Sequence, residues 1–200
     1  MNFRNPARIL FLLAAILVSA NHAWAQGSCS NCSTVDSNLT LTATAETAVT
    51  LTISTGSGGA TVSDDGSGAF SVSFGNVNGL GVGTPAAGVS VSTSASGTTY
   101  TTPITVTPAF SGFTSTTATV KVYQDSSTSS ASQSAAREGG SAGGVASVPA
   151  AAGSATTVSA SAASGSGLTR HVGVFVSNDN GGGKVVGSLA PKFIYTVTVN

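Results

Sequence analysis

Residues Ser37–Ile53 read SNLTLTATAETAVTLTI, and their alternation decides the predicted fold class. One parity is apolar and is interrupted only by Thr47; its members are Leu39, Leu41, Ala43, Ala45, Val49, Leu51 and Ile53. The other parity carries threonines and Glu46, and only Ala48 interrupts it. Such alternation places apolar groups on one face of an extended strand and hydroxyl groups on the other. The stretch predicts one unusually long strand, since an ordinary strand has about 5–6 residues.

The amino terminus has the three parts of a secretory signal peptide. Arg4 and Arg8 form a basic region, Ile9–Ala20 is an apolar run, and Ala23–Ala25 is a small-residue cleavage site. We expect residues 1–25 to be removed after Ala25 and the protein to be secreted or displayed at the cell surface. The apolar run is shorter than the roughly 20 residues of a membrane span, so we expect no span in the mature chain.

The charge of the mature chain is low. Removing the two signal arginines from the seven basic residues leaves five basic against seven acidic residues, and His171 is the one remaining histidine. A weak charge without a basic cluster argues against nucleic acid or an anionic membrane as a partner. Low charge with threonine-rich β patterning is typical of secreted β-proteins, and self-assembly would make use of such a surface.

Further alternating runs follow the first one, separated by Gly, Ser and Pro turns. Their apolar members are Phe70, Val72 and Phe74; Val89 and Val91; Ile104 and Val106; Ala118, Val120 and Val122; Val172, Val174 and Val176; and Phe193, Tyr195, Val197 and Val199. No segment has a helical period. The pattern predicts an all-β fold, an antiparallel immunoglobulin-like or jelly-roll-like β-sandwich. We expect one domain over residues 37–200, after a flexible cysteine-containing lead at 26–36.

Residues 126–167 differ from the rest in composition. Apart from Arg137, Glu138 and Pro149 they are nearly all Ser, Ala, Gly and Thr, a composition with little apolar surface to bury. The composition indicates a long flexible insertion in the sandwich, with Thr156–Ala162 as a possible edge strand. The alternative is a surface loop that contacts a partner.

No motif for chemistry is complete. His171 lies on a strand face without an orienting carboxylate or a nucleophile. Gly181–Lys184 lacks the first glycine and the Ser or Thr of a phosphate loop, and Asn178–Gly181 is better interpreted as a hairpin turn. Asp64–Gly66 is interpreted as a turn rather than a calcium site. We therefore predict no catalytic, cofactor-binding or metal site, and no enzymatic activity.

Cys29 and Cys32 follow the predicted cleavage point closely, in an oxidising compartment. A metal site would need two further soft ligands, and a redox site would need a thioredoxin-like fold, neither of which the sequence offers. Three interpretations remain: a local disulfide, which export and proximity favour, bonds to neighbouring subunits, or an idle thiol pair.

Five short segments share a recognisable rhythm: Ser73–Val77, Val89–Thr93, Thr105–Thr107, Val120–Asp125 and the terminal Tyr195–Val199. In these segments the chain resembles secreted spore-coat-U-type and fimbrial subunits. The chain departs from those subunits because it lacks their cysteines within the sandwich and has the extra insertion. The resemblance implies an immunoglobulin-like sandwich that polymerises by strand exchange.

Two interpretations of Ser37–Ile53 remain open at this point. In the first interpretation it begins the chain's own sheet, as one strand or as two strands bent near Glu46 and Thr47. In the second it leaves its domain and completes a neighbour's sandwich by β-augmentation. In the second case its donor side chains would fill successive pockets of the neighbour: Leu39, Leu41, Val49, Leu51 and Ile53.

The function predicted first is a non-catalytic structural subunit of a bacterial fibre, pilus or extracellular matrix layer. Its partners would be copies of itself or related subunits, with a periplasmic chaperone and usher as possible assembly factors. The alternative is a surface adhesin or glycan-binding module, although the mature chain has no tryptophan on which a sugar would stack.

Overall fold

Strands dominate this computed structural model, which describes residues 42–178 and 188–200. The strands are β1 (Ala48–Thr55), β2 (Val62–Asp64), β3 (Phe70–Val72), β4 (Gly75–Asn76), β5 (Thr84–Pro85), β6 (Ser90–Ser94), β7 (Gly97–Ser111), β8 (Thr117–Gln124), β9 (Ala136–Gly139), β10 (Ala146–Ser147), β11 (Thr156–Ala163), β12 (Leu168–Ser177) and β13 (Phe193–Val199). The one described α-helix is α1 (Ser130–Ala135), and two short 3-10 turns cover Ala142–Gly144 and Ala152–Ser154. The predicted all-β fold is confirmed, although α1 was not predicted.

Two antiparallel sheets form the sandwich. The larger has the order β1-β7-β12-β9-β10, with β6 also paired to β7, and the smaller has the order β11-β8-β13. Strand β12 pairs along one edge of β7, so β1 and β6 share the other edge and follow one another along it. Strands β2 and β3 form a separate hairpin, and β4 pairs with β5.

The core lies between the two sheets and comes from the predicted alternation. Its buried members are Ile104, Val106 and Val172 of the larger sheet and Val120 and Ala162 of the smaller one. A second cluster joins Tyr100, Val174 and Val176. Because strand side chains alternate between faces, the outer face of the larger sheet carries Thr105 and Thr107 of β7, whereas Thr98 and Thr102 share the inward parity and are buried.

Pro103 lies inside β7, where a proline would normally remove a ladder hydrogen bond. It lies between the two stretches of β7 that pair with β6 and β1, and its carbonyl accepts a hydrogen bond from the Gly56 N–H at 3.1 Å. Because the N and O of one strand residue point to the same side, the missing N–H of Pro103 faces this gap and not β12. The proline is tolerated because no strand pairs with it there.

Strand β1 is shorter than the predicted strand over Ser37–Ile53. It begins at Ala48, and the described residues before it, Thr42–Thr47, are exposed and belong to no strand. The prediction of one continuous strand is therefore wrong for this part. The reason lies in composition, because alanine and glutamate are poor strand formers, whereas Ala48–Thr55 is rich in Val, Leu, Ile and Thr.

Three strands within residues 126–167 belong to the two sheets, β9 and β10 to the larger and β11 to the smaller, so the prediction of a flexible insertion is corrected. Within them, β9 pairs with β12 and with β10, and α1 is capped by the Ser129 hydroxyl, which accepts the Ser132 N–H at 3.2 Å. The small residues allow close main-chain approach; a Cβ on Gly139 would lie 2.4 Å from the Gly144 carbonyl oxygen. The expected edge strand at Thr156–Ala162 is confirmed as β11.

The buried Thr102 hydroxyl connects two loops to the gap beside Pro103. It accepts the Ala60 N–H at 2.7 Å and donates to the Gly88 carbonyl at 3.0 Å. The loops cross so closely that a Cβ on Gly88, whose φ is 82°, would lie 2.3 Å from the carbonyl carbon of Gly59. Only glycine fits this conformation and this approach.

We expect Thr102→Val to lower the free energy of unfolding by about 1–3 kcal/mol, because it keeps the side-chain shape but leaves the buried Ala60 N–H without a partner and removes the hydrogen bond to the Gly88 carbonyl. Urea unfolding followed by circular dichroism measures the loss. Thr52→Val is the matched control, since Thr52 is exposed on the outer face, and it should change stability by less than about 0.5 kcal/mol. Equal stability of the two variants would contradict a bridging role for Thr102.

Candidate functional site

A groove of about 1130 Å³ lies against the inner face of the larger sheet, beside β13. Its floor includes Ile104 of β7 and the alternating side chains of β12, and the segment Phe70–Val77 lines it as well. Its apolar lining residues are Leu51, Ile53, Val62, Phe70, Val72, Phe74, Val77, Ile104, Val172, Val174, Val176, Leu189, Phe193, Ile194 and Tyr195, and polar residues line it as well, among them Ser71, Ser73, Asn76 and Ser188. Strand alternation explains why so many apolar groups face one space, since each contributing strand turns its apolar parity inward.

The groove exists because the two sheets differ in strand number. Among the described strands, three belong to the smaller sheet and six to the larger. Among the described strands, β8 alone pairs with β13, so the edge of β13 next to the groove is not paired with a strand. An unpaired strand edge beside an apolar groove has the geometry that β-augmentation requires: main-chain donors and acceptors along one side, and pockets for alternate side chains along the other.

Charged groups lie where β13 begins. Asp125 and Lys192 both line the groove, and the Asp125 N–H donates to the Lys192 carbonyl at 3.0 Å. The Asp125 carboxylate accepts the Ser127 N–H at 2.8 Å, and this hydrogen bond holds the pKa of Asp125 below its ordinary value. The groove is therefore apolar along its floor and carries an anion and a cation at one end.

A buried ionic cluster ties β13 to the larger sheet. Glu138 of β9 accepts two hydrogen bonds from Arg170 of β12, at 2.6 and 3.0 Å, and one from the Tyr195 hydroxyl of β13 at 3.2 Å. The Glu138 side chain is 2 % exposed and that of Arg170 15 %. Burial, and then the negative charge of Glu138, raise the pKa of Tyr195, so its hydroxyl stays protonated and donates. Because Tyr195 also lines the groove, the cluster fixes one wall of it.

The five predicted donor residues fall into two groups. Leu39 and Leu41 lie outside the described residues. Val49, Leu51 and Ile53 lie on β1 and pair, in order, with Phe110, Pro108 and Val106 of the same chain. Val49 is 42 % exposed, whereas Leu51 and Ile53 pack against the core and line the groove.

The other candidate groups occupy structural positions. His171 pairs with Pro103 and Gly139 on β12. Asp64 and Asp65 close the β2–β3 turn, where Asp65 accepts hydrogen bonds from the Ser67 side chain and main chain that lower its pKa. This turn was predicted. No group of three or more His, Cys, Asp or Glu side chains that could hold a metal occurs in residues 42–178 and 188–200.

Several predictions concern residues outside the described ranges and stay predictions. These are the signal peptide at 1–25, the lead at 26–36 with Cys29 and Cys32, and the part of the 178–181 turn beyond Asn178. Asn178 itself donates from its side chain to the Ala95 carbonyl at 2.7 Å.

Comparison with known proteins gives no relative from which a function could be inferred, so any function must be argued from the fold and the groove. The chain matches no protein-family model, no curated protein and no solved structure. Within the described ranges no helix is both long enough and apolar enough to span a membrane.

Neither the groove nor the ionic cluster was predicted from the sequence. The alternation in β12 and β13 predicted which side chains face inward, but nothing in it states how many strands each sheet has. Glu138 lies in the segment interpreted as flexible; its position as the only acid of a small-residue stretch is the one signal that could have marked it as buried.

Proposed function

We propose that the protein is a secreted, non-catalytic structural subunit of a fibre, pilus or matrix layer, and that it assembles with copies of itself by strand donation. The groove beside the free edge of β13 is the observation that carries this proposal. An added strand would hydrogen-bond along β13 and complete the smaller sheet over the floor of the larger one.

The donated segment would be the alternating stretch before β1. Thr42–Thr47 are exposed and outside any strand, and Leu39 and Leu41 precede them on the apolar parity. The proposed donor segment is shorter than the one predicted from the sequence. Val49, Leu51 and Ile53 are excluded from it, because they lie on β1, whose eight residues all pair with β7 of the same chain. In the proposed assembly β1 anchors the arm, and Leu39 and Leu41 enter the neighbour's groove.

An open apolar groove would also need protection before assembly. An unpaired edge beside exposed apolar surface favours premature pairing and aggregation. A periplasmic chaperone that covers the groove, and an usher that exchanges it for the next subunit, would meet this need.

A peptide of residues 37–47 tests the proposal directly. We expect electron microscopy of the purified mature protein to show filaments, and the peptide, added in excess, should occupy the grooves and suppress them. A control peptide with Leu39 and Leu41 both replaced by Asp should have no effect, because charged side chains would not enter an apolar groove. Absence of filaments in concentrated secreted protein, or equal effects of the two peptides, would contradict the proposal.

A further inference from the structure

Within the described residues, the outer edge of β1 is a second long edge that pairs with no strand, and it has no charge, proline or bulge. In the described part of the chain β1 pairs only with β7, residue for residue, with no bulge over Ala48–Thr55. Its sequence, AVTLTIST, has no charge and no proline. Soluble proteins normally protect a long edge strand with lysine, proline, a bulge or a covering segment.

Apart from β13, whose edge is assigned to strand donation, the other sheet edges in the described residues differ from β1. Strand β10 has only two residues, and β11 has two register shifts in its pairing with β8. Both shortness and bulges discourage pairing with another chain. Strand β6 is uncharged but has five residues, so β1 is the longest regular edge of the larger sheet.

Exposed apolar side chains lie at the start of this edge. Val49 is 42 % exposed and Phe113 is 40 % exposed. Phe110, the partner of Val49 across the β1–β7 ladder, packs edge-to-face against Phe113 with ring centroids 6.4 Å apart. The edge therefore combines unpaired main chain with an apolar cluster open to solvent, and a partner would bury both.

We propose that β1 pairs with β1 of a second copy of this chain, antiparallel, with Leu51 on the two-fold axis. In this register Val49 lies opposite Ile53 of the partner subunit, and Thr50 lies opposite Thr52 of the partner subunit. Residues opposite one another in an antiparallel pair share a face, so the apolar parity meets itself and the threonine parity meets itself. No charge opposes another, and the contact is self-complementary, as a two-fold interface must be.

This contact is separate from the proposed strand donation. It uses the main chain of β1, whereas donation uses the edge of β13. Strand donation alone would give a filament, and β1 pairing alone would give a dimer. The two contacts together would join filaments side by side.

Sedimentation tests the pairing in a Leu41→Asp background, in which donation is blocked and fibres do not hide a dimer. That variant should sediment as a dimer. Adding Thr52→Lys should raise the dissociation constant of the dimer about tenfold. Both subunits of a two-fold dimer carry the substitution, and a lysine on an edge strand disfavours pairing with another strand. Thr169→Lys is the matched control: it is exposed on the same outer face but on the interior strand β12, and it should leave the dimer unchanged. A monomer at every concentration, or equal effects of the two lysines, would overturn the proposal.

Disulfide trapping tests the register of the β1 pairing and does not depend on whether fibres form. It uses the full chain with Cys29→Ser and Cys32→Ser, so that the introduced cysteine is the only thiol. Leu51→Cys should give a cross-linked dimer on mild oxidation, because the two copies of position 51 meet at the axis. Val49→Cys should not, because the two copies of position 49 lie about 13 Å apart in this register, beyond the reach of a disulfide. Random collision predicts the reverse order, since Val49 is the more exposed of the two. Cross-linking of Val49→Cys at an equal or higher yield, or of neither variant, would overturn the proposal. Persistent fibres in Leu41→Asp would instead defeat strand donation alone.

Discussion

Leu41→Asp is expected to leave a folded, soluble protein and to abolish fibres. Leu41 precedes β1, and the chain between them, Thr42–Thr47, is exposed and outside the sheet, so a charge at position 41 should not disturb the sandwich of its own chain. In the assembly the same carboxylate would enter the neighbour's apolar groove without a partner, at a cost of several kcal/mol. Circular dichroism melts report the fold, and sedimentation with electron microscopy reports the fibres.

Thr42→Asp is the matched control for this prediction. Thr42 is adjacent but lies on the opposite parity, so in a donated strand its side chain would point away from the groove. Fibres should persist in this variant. If Leu41→Asp unfolds the monomer itself, Leu41 belongs to the core of its own chain and strand donation is wrong.

Glu138→Ala is expected to lower the free energy of unfolding by about 3–5 kcal/mol, the usual cost of removing one partner of a buried ion pair. The substitution removes the acceptor of both Arg170 hydrogen bonds and of the Tyr195 hydroxyl. The loss is large because a guanidinium is left inside the sandwich without its carboxylate. Chemical denaturation monitored by tyrosine fluorescence measures it.

Glu46→Ala serves as the control, because Glu46 is exposed. It should change stability by less than about 0.5 kcal/mol. Glu138→Gln should fall between the two, since an amide can still accept from Tyr195 but has no charge to offer Arg170. Similar stabilities for Glu138→Ala and Glu46→Ala would show that the cluster contributes little.

Strand alternation predicted the interior of the sandwich well. The apolar parity of β12, Val172, Val174 and Val176, is buried as expected, and β13 occupies its predicted place at the carboxyl terminus. These segments succeed because β-branched residues at a period of two have one good arrangement, with the apolar face inward. The local signal and the tertiary packing agree there.

Strand alternation was a poorer guide to the structure in segments rich in alanine, serine and glycine. Alternating alanines before Ala48 resemble a strand in pattern but bury too little surface to hold one. In residues 126–167 the opposite error occurs, because main-chain pairing with β12 and the buried Glu138 order a segment whose small side chains, apart from the predicted strand at Thr156–Ala162, carry no strand pattern. The groove depends on how many strands each sheet holds, which is a property of the whole chain.

The position of β7 in the larger sheet has a consequence for folding kinetics. Val106 of β7 pairs with Ile53 on one side and with Leu168 on the other, so the central strand must find partners far before and far after it in the chain. Pairing strands that are distant in sequence first costs the entropy of closing the loop between them. Chains rich in such pairings fold in about milliseconds to seconds rather than microseconds. The larger sheet cannot close until β12 is available. In the proposed secreted subunit, such slow closure would favour export in an extended form and binding of a chaperone before the sheet closes.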